Sequence, residues 1–401
     1  MSNNYLAGGV NSPIPIPEYY PQNIVRGEGP YVYDKDGSRF VDMWMGYGAL
    51  LFGHADPDIV KSIKTATEKA FFFSYQTLIE KEYSEEIHNL IPSAEVIRYA
   101  TTGSDAVAYA IRLARNYTKR NNVLSIKGGY HGAHEGMVST TGTTIKTPPE
   151  FVKFNDPKAV SEKLESGSFA CMILEPVLAN SGCTPPNEGY LQEIRDICTR
   201  TGTVLIFDEV VNGFRMSIGG SQKRFNVTPD LSTFSKAIAS GLPLSLIAGK
   251  KEIMEHYMPT GKVFFAGTFN GHPLSLSVAR TVLKKLKDEK FYEQLDEMGD
   301  RFRLEISNLI HEYDLNIAIQ GIGSMLTIGF GCKNFNQGIT NENFDANAYQ
   351  EFIKRMARLK ILFPPLPTET VFLSPVHQEI LEDIIEKTKN TLINMHKENL
   401  I

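Results

Sequence analysis

Four short, mainly apolar runs recur between stretches of helical spacing: VIRYAT from Val96, VLSIKG from Val123, CMILEP from Cys171 and VLIFDE from Val204. Strands that are apolar along their length, and not at alternate positions, belong to sheets covered on both faces, and intervening helices make such sheets parallel. The spacing of Val107, Ala110, Ile111 and Ala114 predicts a helix opening near Ser104 with one stripe turned to that sheet. The expected class is therefore α/β. From about Phe291 the pattern changes to long polar helices around a few strands, ending in an amphipathic helix after Pro375. At 401 residues the chain is long enough for two cores. We expect an N-terminal arm and hairpin over 1–55, a large domain over 56–290 and a smaller domain over 291–401 that the arm joins.

Four prolines between Pro13 and Pro21 disfavour helix and predict an extended arm. The following GPYVYDKDGSRFVDM reads as a hairpin, Tyr31–Tyr33 and Arg39–Met43 alternating around the turn residues Asp36 and Gly37. A net charge of −5, with basic residues scattered among acids, offers no basic stripe for nucleic acid. The four cysteines have no metal-type or disulfide-scaffold spacing, which fits a reducing cytoplasm. No run approaches the ~18 apolar residues of a membrane span, and the N-terminus lacks an export pattern. Neither a membrane nor a metal is expected.

The strand VLIFDEV delivers Asp208 at its carboxyl end, where parallel sheets bind ligands. A carboxylate there serves as a surface cap, a metal ligand or the partner of a pyridine nitrogen. Further on, FSKAIASGLP sets Lys236 between an apolar segment and a glycine turn, where desolvation lowers an amine's proton affinity and prepares it for imine formation. Ser-Lys pairs are common, so the residue gains meaning only from its company. TTGSDAVAYAIRLAR turns through Gly103 into a helix start whose free amides, with Thr102 and Ser104 hydroxyls, suit a phosphate. A plain cap made by Ser104 is the simpler reading of the same residues. GGYHG puts Tyr130 on a loop after a strand, as a ring for stacking or as ordinary packing.

In the order TTGSDA, YHG, LEPVLAN, DEVVNGFR, SK and GTFNGHP, these segments resemble the class III aminotransferases, fold-type I pyridoxal-phosphate enzymes. Within that class they are most similar to the glutamate-1-semialdehyde 2,1-aminomutase family, from GGVNSP near the start to FLSPVH near the end. The resemblance implies a mostly parallel seven-stranded sheet and the cofactor pyridoxal 5'-phosphate. It also implies a homodimer, with a small-molecule amino donor and a carbonyl acceptor. By the same likeness Lys236 forms the Schiff base and Asp208 faces the pyridine nitrogen. Gly103 and Ser104 cradle the phosphate, Tyr130 stacks on the ring and Val210 packs behind it. Asn180 meets the ring hydroxyl, and Thr268 reaches the phosphate in the neighbouring subunit. Glu175 and His131 fall close behind these residues. Ser12, Tyr47, Thr143 and Glu369 match positions of the substrate pocket.

One departure bears on the reaction. The aminomutase motif continues GGVNSPVR, and its arginine binds the substrate carboxylate; here GGVNSPIP puts Pro15 at that position. Losing a bidentate donor removes charge-assisted hydrogen bonds of ~1.5–3 kcal/mol each. The expected activity is thus a ping-pong aminotransferase acting on a small aldehyde or ketone, with the aminomutase as the alternative. A non-enzyme nucleotide binder is a third reading, but no GxGxxG follows a strand.

Overall fold

The structure, a computed structural model, describes residues 5, 6, 11, 14, 16–69, 72–134, 137, 148–288, 290–339 and 344–401. At the end of the proline-rich arm, Tyr20 is buried and donates its hydroxyl to the Phe363 carbonyl at 2.6 Å. Strands β1 (Ile24–Glu28), β2 (Tyr31–Asp34) and β3 (Arg39–Asp42) then form an antiparallel meander. The β2–β3 turn closes because Asp34 Oδ1 accepts the N–H groups of Asp36 at 3.0 Å and Ser38 at 2.8 Å. The hairpin follows the alternation of the sequence, while β1 is an added edge strand.

The large sheet contains β4 (Val96–Ala100), β5 (Asn122–Ile126), β6 (Glu150–Val152), β7 (Phe169–Leu174), β8 (Val204–Glu209), β9 (Leu231–Phe234) and β10 (Ser245–Gly249). Their order is β4-β10-β9-β8-β7-β5-β6, and β10 alone runs against its neighbours. Every residue of β7, β8, β9 and β10 is buried, as a sheet covered on both faces requires. Alternation divides the load: Ile173 and Ile206 pack with Val107 and Ile111 of the helix Gly103–Thr118 on one face. Met172 and Leu205 pack with Ile194 and Ile197 of the helix Tyr190–Thr201 on the other.

The C-terminal part adds β11 (Ile317–Ile322), β12 (Met325–Phe330), β13 (Ile361–Leu362) and β14 (Val371–Phe372). β11, β12 and β14 form an antiparallel sheet, and β13 joins β3 in parallel. One hydrophobic cluster unites Tyr20, Val32 and Phe40 of the N-terminal segment with Phe302, Phe352 and Leu392 of the C-terminal helices. The amphipathic helix expected after Pro375 spans Leu381–Lys397, behind a 3-10 turn over Pro375–Ile380. Among the described residues no helix is long and apolar enough to cross a membrane.

Candidate active site

β8 ends in two adjacent acids that the strand's alternation sends apart. Asp208 Oδ1 accepts the Val210 N–H at 3.0 Å and the Thr233 hydroxyl at 3.3 Å, and Oδ2 lies 2.7 Å from His131 Nδ1. Glu209 turns to the short helix Gly220–Arg224, where it accepts the Ser221 N–H and the Gln222 side-chain amide. Burial pushes the Glu209 carboxyl up to about 7. Of the pair, it is Asp208 that lines the cavity described below.

Lys236 follows β9 at the first residue of a 3-10 turn, Lys236–Ala239, with φ at 49°. A left-handed backbone at a non-glycine residue costs ~1–3 kcal/mol and is kept where the surroundings dictate it. Burial drives the Lys236 ammonium below the ordinary lysine value, against the opposing pull of Glu369, Glu175 and Asp208.

The helix Gly103–Thr118 is capped by Thr102, not by Ser104 as the simpler sequence reading has it. Thr102 Oγ1 accepts the Asp105 N–H, and the Asp105 carboxylate accepts the Thr102 N–H, a reciprocal box. This frees Ser104, whose hydroxyl accepts the Ala133 N–H at 3.2 Å. Gly103 is required by close approach, since a Cβ there would lie 2.8 Å from Val210 Cγ1.

Gly103, Ser104, Tyr130, Asn180, Asp208, Val210 and Lys236 line one cavity of about 130 Å³, so seven of the expected residues converge. Sequence reasoning missed Val107, Gly132, Val211 and Ser235, which line it too. Glu175 organises one wall: Oε1 accepts the Tyr130 N–H at 3.1 Å, and Oε2 accepts the Ala179 N–H at 3.1 Å and the Asn180 amide at 2.9 Å. Desolvation lifts this carboxyl to about 7. An amine, a carboxylate and a helix start around one cavity suit a group that carries a carbonyl, a basic ring nitrogen and a phosphate.

Thr268, Tyr47 and Glu369, the remaining described residues of the expected set, are not in the lining of this cavity. Exposed Thr268 lines a separate hollow with Phe72, Tyr75 and Glu80. Tyr47 lies against Trp44, ring centroids 4.2 Å apart, and the Trp44 indole N–H donates to Glu369 Oε2 at 3.4 Å. Burial raises the Glu369 carboxyl above its ordinary value, an effect that Lys236 and the indole partly offset. The Thr370 hydroxyl donates to the Ala179 carbonyl at 2.6 Å, which ties this segment to the Asn180 loop. Trp44 escaped the sequence reading, although it is the only tryptophan in the chain. Ser12, Pro15 and Thr143 lie outside the described residues.

The family profile described as "Aminotransferase class-III" matches residues 17–377. A glutamate-1-semialdehyde 2,1-aminomutase of Methanosphaera stadtmanae is 36% identical over 406 residues, which cover 97% of this chain and 95% of that protein. Another, from Methanothrix thermoacetophila, is 34% identical and covers 96% of this chain and 92% of its own length. Among solved structures, an omega-transaminase of Sphaerobacter thermophilus superposes with a TM-score of 0.88 at 26% identity, covering 97% of this chain and 94% of that one.

Proposed function

This chain belongs to the class-III aminotransferases, whose cofactor is pyridoxal phosphate, and we propose that it moves an amino group within one substrate as a glutamate-1-semialdehyde 2,1-aminomutase. The observation that carries this reading is likeness along nearly the whole chain to proteins of that name, joined to a cavity with an amine, a carboxylate and a helix start. The sequence alone had favoured transfer between separate molecules.

Bound, the cofactor supplies an electron sink for the carbanion left when the carbon bearing the nitrogen loses a proton. In our reading Lys236 would anchor it and could then carry that proton on Nζ, a task eased by burial, which favours the neutral amine. Asp208 would face the ring nitrogen, and His131 fixes the carboxylate's orientation. Gly103 and Ser104 hold the phosphate with helix-start amides. Val210 and Tyr130 would pack against the cofactor's ring, and Asn180 would hydrogen-bond its hydroxyl. Thr268 would complete the phosphate site of a second copy in a homodimer, in keeping with its place outside the lining of its own chain's cavity. Tyr47 and Glu369 would face the substrate, and the resemblance gives Ser12 and Thr143, which lie outside the described residues, to the same pocket.

A second reading, ping-pong transfer to a separate small aldehyde or ketone, is favoured by Pro15, which has neither charge nor donor for a substrate carboxylate. Purified holoenzyme given glutamate-1-semialdehyde, with no added donor or acceptor, separates the two. We expect 5-aminolevulinate to form. Its absence, together with amino transfer from L-glutamate, L-alanine or a diamine to an added aldehyde, would overturn the proposal in favour of the second reading.

A further inference from the structure

We propose that Asp42 and Arg215 are positioning residues that hold the Trp44–Gly48 turn as a wall of the substrate pocket, with Trp44 aimed at Glu369. Met45, Gly46, Tyr47 and Gly48 have successive φ values of 50°, 61°, 59° and 81°. Two of the four are not glycine, and a backbone of this kind persists only where its surroundings over-determine it. The surroundings here are two clamps.

At the start of the turn, Asp42 Oδ1 accepts the N–H groups of Trp44 at 2.8 Å and Met45 at 2.9 Å. Its second oxygen lies 2.8 Å from His54 Nε2, so the carboxylate cannot swing away without breaking that contact. At the end of the turn, the buried Arg215 donates Nη2–H to the Gly48 carbonyl at 2.9 Å. Its Nη1 donates to the Leu373 carbonyl at 2.9 Å and the Ser324 hydroxyl at 3.1 Å, and the guanidinium lies 4.9 Å from the Phe372 ring centre. That ring fills the space beside Gly48, where a Cβ would come within 2.7 Å of it.

Among the described residues no carboxylate pairs with Arg215. A buried cation held by carbonyls and a hydroxyl alone is a poor source of stability, and its value lies in geometry. The carbonyls it grips belong to Gly48, at the end of the turn, and to Leu373, shortly after Glu369 in the chain. One guanidinium thus fixes the separation of the two segments that carry Trp44 and Glu369. Neither Asp42 nor Arg215 lines the cofactor cavity.

Trp44 is the only tryptophan, so its emission in the holoenzyme reports the turn without a label. In Asp42→Ala we expect emission at longer wavelength and stronger quenching by acrylamide, with the visible band of the bound cofactor retained. Asp42→Asn, whose amide oxygen still accepts both N–H groups, should restore most of the wild-type signal. Arg215→Lys should shift emission in the same direction; should it fail to fold, Ser324→Ala loosens the same clamp and should give a smaller shift. The kinetic arm rests on the proposed function: KM for glutamate-1-semialdehyde should rise about tenfold in Asp42→Ala, equivalent to ~1.4 kcal/mol, with little change in kcat. Unchanged Trp44 emission and quenching in folded, cofactor-loaded Asp42→Ala overturns the role of Asp42, and the same result in Arg215→Lys or Ser324→Ala overturns that of Arg215. Loss of the visible band assigns the residues to the cofactor site instead. Because the emission needs no substrate, it decides the matter even where the aminomutase reading fails.

Discussion

His131 Nδ1 lies 2.7 Å from Asp208 Oδ2, and both side chains are buried. Asp208 accepts from Val210 and Thr233 through Oδ1 and meets the His131 imidazole through Oδ2, so both carboxyl oxygens are engaged. The loop after β5 is thereby pinned to the end of β8. Nothing in either segment alone requires it.

That convergence predicts the behaviour of Asp208→Asn. An amide can keep the Val210 and Thr233 bonds through its oxygen, but its NH2 then faces His131 Nδ1, which accepts only if the ring proton moves to Nε2, and it brings no charge to the cofactor's ring nitrogen. The variant should bind pyridoxal phosphate but lose about a hundredfold in kcat, ~2.7 kcal/mol at the transition state. Steady-state kinetics on cofactor-loaded protein provides the check, and near-normal turnover removes Asp208 from the mechanism.

Lys236→Ala should abolish turnover and the visible absorbance of lysine-bound cofactor while the melting temperature stays close to that of the wild-type apoenzyme. Alanine inherits the φ of 49°, so the backbone strain is the same in both proteins. A variant that keeps the visible band would mean that another amine holds the cofactor.

Glu209 gives a pH dependence with a definite sign. Burial raises its folded value from 4.5 to about 7, so between these limits the folded state holds more protons than the unfolded state. Its contribution to stability is fully present below about 4.5 and is lost as pH rises through about 7. In Glu209→Gln the melting temperature should decline less across this window than in wild type. Parallel melting curves for the two proteins would show that Glu209 does not titrate there.

Pro15→Arg should lower KM for carboxylate-bearing substrates by about tenfold, the effect of one charge-assisted hydrogen bond of ~1.5–3 kcal/mol less screening. The gain should shrink as salt is added, because a partly exposed ion pair is screened. This expectation stands on the sequence, since residue 15 lies outside the described residues. A KM indifferent to the change would show that position 15 does not face the substrate.

The sequence by itself determined what depends on neighbours along the chain. Unbroken apolar strands dictated a sheet covered on both faces, and β7 to β10 are buried throughout. Asp208 at a strand end, Gly103 at a helix start and Lys236 before a glycine turn were legible because strand, cap and turn chemistry is local. Only the tertiary structure decided which distant groups meet. It made Thr102 the cap in place of Ser104, and it turned β10 against its neighbours. It gave Glu175 the N–H of Tyr130 and the amide of Asn180, set Trp44 on Glu369 and closed Arg215 over Gly48 and Leu373. Periodicity and turn propensity act over a few residues, whereas Trp44 and Glu369 stand 325 positions apart. Their meeting is fixed by how whole elements pack, and no local pattern encodes that.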